Sequence, residues 1–78
     1  MTWCEDIEQA LIELGGRAHL SEIYEMVKQI REKRGLPLGQ YKAWIRYFLQ
    51  QNSRGKGKDI FNPVKIGSGI WELKVTNR

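Results

Sequence analysis

The chain carries one cysteine and one histidine, and this scarcity removes several kinds of chemistry at once. A single thiol forms no internal disulfide, and one Cys with one His falls short of a structural zinc set. Cys4 reads as a small, partly buried side chain in a reducing cytoplasm. His19 stands alone just before a helix start and reads as a structural side chain. No apolar run approaches the roughly 18 residues that a membrane span needs. The opening MTWCEDIEQ is acidic and helical in pattern, without the basic and apolar regions of a signal peptide. A cytoplasmic protein without membrane contact is expected. There is no histidine pair, no carboxylate pair beside a basic residue in the second half and no activated cysteine setting, so no enzyme and no cofactor are expected. A Walker A loop is missing as well.

Carboxylates are scarce in one part of the chain only. Residues 1–30 hold six Asp or Glu against two cations, a balance of −4, whereas residues 31–78 hold three against eleven, a balance of +8. The overall +4 conceals this division, which points to a polyanion or an acidic partner for the second part. At 78 residues the chain makes one domain, 1–78, with a modest core.

Thr2 and Glu5 form a T-x-x-E capping box, and Trp3, Ile7, Ala10, Leu11 and Leu14 keep one helical face apolar. Helix 1 is expected at about residues 3–14, ended by Gly15-Gly16, with Glu5, Asp6 and Glu8 at the positive end of its dipole. Arg17–Leu20 is a brief strand. Ser21 is the expected N-cap of helix 2, about residues 22–34, with Ile23, Tyr24, Val27 and Ile30 at helical spacing. Its terminal cations, Arg31, Lys33 and Arg34, suit the negative end of the helix. Gly35 and Pro37 break it, and a short turn leads to helix 3.

Helix 3, about residues 39–52, has two faces. Tyr41, Ile45, Phe48 and Leu49 form the apolar stripe, with Trp44 packed at its edge. Gln40, Lys42, Ala43, Arg46, Tyr47 and Gln50 lie off it, without a carboxylate. Residues 53–58, SRGKGK, read as a flexible basic loop. Strands at about 59–66 and 70–75 then flank Gly67-Ser68-Gly69 as an antiparallel hairpin, with Pro63 suited to an edge or a bulge. Helix, short strand, helix, helix and hairpin make an α+β domain of winged-helix type, in which Arg17–Leu20 adds a third strand. The second helix of the pair, helix 3, would enter the major groove.

Several pieces also resemble a known family. ALIELGGRAHLSEIYEMV, then LP, IRYFLQQNS, DIF and IGSGIWEL are similar, in order and spacing, to the small winged helix-turn-helix modules attached to bacterial restriction endonucleases and related defence proteins. The likeness spans roughly residues 7–74. It implies DNA binding, with a role in recognising a specific site or a modified base. Two departures stand out: the chain contains no nuclease domain, and Trp44 and Phe48 are larger than the short residues expected there.

On this reading double-stranded DNA is the partner, and a second copy or a nuclease subunit would enlarge the footprint. Base reading falls to Gln40, Ala43, Arg46, Tyr47 and Gln50. Phosphate contact falls to Ser21, Lys42, Ser53, Arg54, Lys56, Lys58, Lys65 and Ser68. The main competitor is a protein-interaction or subunit-connector module without DNA contact. A single-strand or RNA binder, with Tyr47 or Trp44 stacking on bases, needs an aromatic surface that the stripe assignment argues against.

Overall fold

Helix α1, Trp3–Glu13, buries Ile7, Ala10 and Leu11 completely and Cys4 almost so, as its apolar spacing requires. These positions come from a computed structural model that describes residues 3–65 and 67–74. Thr2 of the expected capping box, Ile66 and Val75 of the expected hairpin, and the tail lie outside the described residues. Burial pushes the Cys4 thiol above its ordinary pKa, although Lys58 pulls it down. A buried thiol of this kind is a weak nucleophile at neutral pH.

Asp6 is the unexpected member of α1. It lies three residues after Trp3 and four before Ala10, on the inward side, and is 0% exposed. Its carboxylate meets Arg31 Nη1 at 2.6 Å and Arg34 Nη1 at 3.4 Å. Arg31 is itself buried, lies 3.7 Å from the Trp3 ring centre, and donates from Nε to the Pro37 carbonyl at 3.0 Å. Three elements, α1, the second helix (α2, Leu20–Lys33) and the turn before the third (α3, Tyr41–Gln51), therefore meet on one buried ion pair. The helix dipole alone does not account for these residues.

The backbone leaves α1 through Gly16, whose N–H donates to Leu11 O. Strand β1, Arg17–His19, then pairs antiparallel with the last strand, β3 (Ile70–Leu73), setting Arg17 opposite Glu72, Ala18 opposite Trp71 and His19 opposite Ile70. Helix α2, Leu20–Lys33, begins two residues earlier than expected. Its N-cap is His19 and not Ser21: His19 Nδ1 accepts from Ser21 N at 3.1 Å, and Glu22 Oε1 accepts from His19 N at 3.1 Å. An imidazole nitrogen does here what a hydroxyl usually does. Helix α3 is Tyr41–Gln51, with Ile45 and Leu49 fully buried and Tyr41 and Phe48 half-buried.

Strands β2, Phe61–Pro63, and β3, Ile70–Leu73, are shorter than expected. The sheet order is β1-β3-β2, so β3 is central and Pro63 sits on an edge strand, where its missing N–H removes no ladder bond. Val64 N still donates to Ile70 O at 3.0 Å and closes the hairpin. Phe61 and Trp71 carry the sheet into the same core as Ile7, Leu11, Ile23, Val27, Ile45 and Leu49. The result is three helices and a three-stranded antiparallel sheet that share one core.

Two carboxylates brace the sheet from outside. Glu72 accepts from Asn62 Nδ2 at 3.0 Å and from Arg17 Nη2 at 2.9 Å; Asp59 accepts from Lys74 Nζ and Gly55 N, both at 2.8 Å. Hydrogen bonds from Asn62 and Arg17 hold Glu72 below the ordinary carboxylate range, and those from Lys74 and Gly55 do the same for Asp59. A carboxyl with a depressed folded pKa contributes stability above its unfolded value of about 4 and loses it as pH falls through the folded value. The double variant Asp59→Asn/Glu72→Gln is therefore expected to lose less stability than the parent between about pH 5 and 3. Urea titrations at the two pH values check this, and parallel losses would refute it.

Candidate nucleic-acid interface

The exposed side of α3 is built by the burial of its other side. With Ile45 and Leu49 in the core, Lys42, Ala43, Trp44, Arg46, Tyr47 and Gln50 turn outward. At about 100° per residue, Lys42 and Arg46 lie on one flank, Ala43 and Gln50 in the middle, and Tyr47 and Trp44 on the other. Gln40 is the exposed N-cap, without a side-chain cap bond. All five residues expected to read bases are thus exposed.

The cationic flank leans on α2. Arg46 Nη1 donates to the Tyr24 hydroxyl at 3.1 Å, and Lys42 Nζ lies 5.8 Å and 6.0 Å from the Tyr24 and Tyr41 ring centres. Tyr24 meets Tyr41 edge to face at 6.5 Å. Two fixed phenols thus hold the flank in place, leaving most of the Arg46 fork open.

The opposite flank differs from expectation. Trp44 meets the stripe only at its edge, through Phe48, and stays 47% exposed, and Tyr47 is 51% exposed. The two rings meet at 90° with centres 6.0 Å apart, and Phe48 joins them at 6.1 Å from Trp44 and 5.3 Å from Tyr47. Phe48 is only half-buried because its ring serves this cluster as well as the core. The aromatic surface that the stripe assignment argued against is therefore present.

The loop after α3 is a hydrogen-bonded turn instead of a loose linker. Buried Asn52 donates to Phe48 O at 2.8 Å and accepts from Lys58 N at 3.0 Å. Lys56 N donates to Ser53 O, and Asp59 N to Lys56 O. Gly57 is required: its φ is +54°, and a Cβ there would stand 2.5 Å from both Asn52 Oδ1 and Gln51 O. Arg54, Lys56 and Lys58 remain exposed. Lys58 is the charge that lowers the Cys4 thiol pKa, against burial and against Glu8 and Glu5, which raise it.

Ser53 does not fit the expected phosphate role. It is 0% exposed and its hydroxyl donates to Gln50 O at 3.1 Å, closing the end of α3. Ser68 is committed as well: its hydroxyl donates to Lys65 O at 2.7 Å and accepts from Ile70 N at 3.2 Å, shaping the hairpin turn. Ser21 is exposed in the first turn of α2, with its hydroxyl 3.0 Å from His19 Nδ1.

The end of α3, the loop and the hairpin enclose a groove of about 340 Å³. Gln50, Arg54 and Lys65 supply its polar side; Pro63, Ile70 and Trp71 form its floor. No acidic residue lines it among the described residues. The hairpin is held in place there by His19, against which Gly69 packs so closely that a Cβ would come within 2.9 Å of Nε2. Leu20 N donates to Gly69 O at 2.8 Å and ties the turn to the start of α2.

Among the described residues no group of three or more His, Cys, Asp or Glu could hold a metal ion. No described helix is long and apolar enough to cross a membrane. No protein-family model, curated protein or solved structure matches the chain.

Proposed function

We propose that the chain is a winged helix-turn-helix module that binds double-stranded DNA, with α3 in the major groove and the hairpin as its wing. The observation that carries this reading is the groove of Gln50, Arg54 and Lys65 between α3 and the hairpin, which joins an exposed helix face free of carboxylates. Residues 33–58 hold seven cations and no acidic residue, a field suited to phosphates. Base edges fall to Gln40, Ala43, Arg46, Tyr47 and Gln50, and phosphates to Lys42, Arg54, Lys56 and Lys65. The element order and the fragments similar to restriction-associated modules favour a role in bacterial defence, beside a nuclease subunit or a second copy.

Arg54→Ala/Lys65→Ala tests the groove. It is expected to weaken binding on all duplex sequences alike and to reduce the slope of log K against log salt by about 1.8, at about 0.9 per phosphate contact. Anisotropy titrations at several salt concentrations measure both. An unchanged slope would remove the groove from the interface, and absence of any duplex binding by the parent protein would defeat the reading.

One observation favours the alternative of a protein connector. An open groove of about 950 Å³ lies between α1 and α2, with Met26 and Ile30 among charged side chains. A connector requires no salt-dependent DNA binding, so the same titration separates the two.

A further inference from the structure

The duplex reading leaves Trp44 without a task and asks of its neighbour Tyr47 only an edge contact, although both rings stand open on one flank of α3. Large aromatic side chains contribute most when buried, yet Trp44 and Tyr47 stand side by side with about half their surface open. They are not on the cationic flank; Ala43 and Gln50 separate them from Lys42 and Arg46 along the helix surface. A stacked base inside a duplex has both faces covered by its neighbours, so it offers nothing to a flat ring. An unpaired base offers a face, and aromatic rings take it whatever its identity. The surrounding charge selects the kind of partner. Residues 33–58 contain no carboxylate, which suits a strand carrying phosphates.

We propose that Trp44 and Tyr47 form a stacking site for unpaired bases of single-stranded DNA leaving the duplex held by the middle of α3. The protein is then a reader of single-strand–duplex junctions. This rests on the DNA-binding reading above. Phe48 is the positioning residue: its half-buried ring contacts both exposed rings and fixes them to the core.

The test compares a blunt duplex, the same duplex with an oligo-dT overhang at either end, and the same overhang made of RNA. One of the DNA overhangs is expected to bind about tenfold more tightly than the blunt form, the effect of about one stacked base. Trp44→Ala should abolish that advantage while leaving blunt-duplex affinity in place, and Trp44→Phe should keep most of it. Trp44 is more open to solvent than half-buried Trp3 or buried Trp71, so acrylamide quenching reports on it directly. Quenching should fall when the overhang binds. Equal affinity for blunt and overhanging DNA would overturn the stacking site and leave the duplex reading standing. Tighter binding of the RNA overhang would overturn the assignment to DNA. Failure of every DNA to bind would overturn both proposals. Self-association lost in Trp44→Ala would make this flank a contact between copies and overturn the stacking site.

Discussion

Asp6→Ala is expected to destabilise the protein by about 3–5 kcal/mol, the cost of leaving a buried charge without its partner. Arg31 would remain behind with its side chain only 7% exposed, above the Trp3 ring and bonded to the Pro37 carbonyl. A guanidinium is a fixed charge that needs a partner when it is buried. The loss is a large share of the 5–15 kcal/mol that holds an ordinary domain, and this chain is short. Urea unfolding followed by circular dichroism measures it. Replacing Asp6 and Arg31 together with apolar residues of similar volume should recover much of the loss, since a buried ion pair is often no better than well-packed hydrocarbon. A single-variant loss below about 1 kcal/mol would mean that the pair does not hold the three elements together.

Arg46→Ala is expected to cost about 1–3 kcal/mol in binding to a preferred duplex site and to relax selectivity at one position. The Tyr24 hydroxyl holds one end of the guanidinium at 3.1 Å, so the fork is oriented before any DNA arrives. Its remaining N–H groups suit the O6 and N7 acceptors of guanine. Arg46→Lys keeps the charge but not the fork, and should retain non-specific binding while losing selectivity. Tyr24→Phe removes only the orienting hydroxyl and should cause a smaller loss than Arg46→Ala. Competition titrations against random duplex at fixed salt measure all three. Full affinity and selectivity in Arg46→Ala would remove Arg46 from base reading and leave the rest of the interface in place.

The helices and the hairpin were legible because their signals are local. Ile7, Leu11, Ile23, Val27, Ile45 and Leu49 recur at helical spacing, and all six are fully buried. The pairing of Arg17–His19 with the hairpin was legible too, since a two-stranded ribbon needs further cover. What escaped depends on contacts across the chain. Asp6 looks like a helix-start carboxylate until Arg31, 25 residues away, is brought against it. Its position in register with Trp3 and Ala10 was the available signal. Ser53 looks like a loop hydroxyl, but the Ser53–Phe61 bridge draws it inward. Trp44 was placed by its position one residue before the stripe, which brings its ring against Phe48 but does not say how much stays open; the neighbouring elements leave it 47% exposed. The turn at 53–59 looked loose from its glycines and cations, and only the buried Asn52 amide reveals why it is ordered.

The sheet order has a consequence for how the chain is made. Strand β3 is the last described element in the sequence and the middle one in space, with β1 and β2 both bonded to it and not to each other. On a ribosome the three helices emerge before it and can collapse by near-neighbour contacts. Residues 17–19 and 61–63 must wait for residues 70–73, and β1 waits across more than fifty residues of chain. A nascent chain stalled before Ile70 would present two unpaired strand edges at once. That interval is when the protein is most exposed to aggregation or to a chaperone.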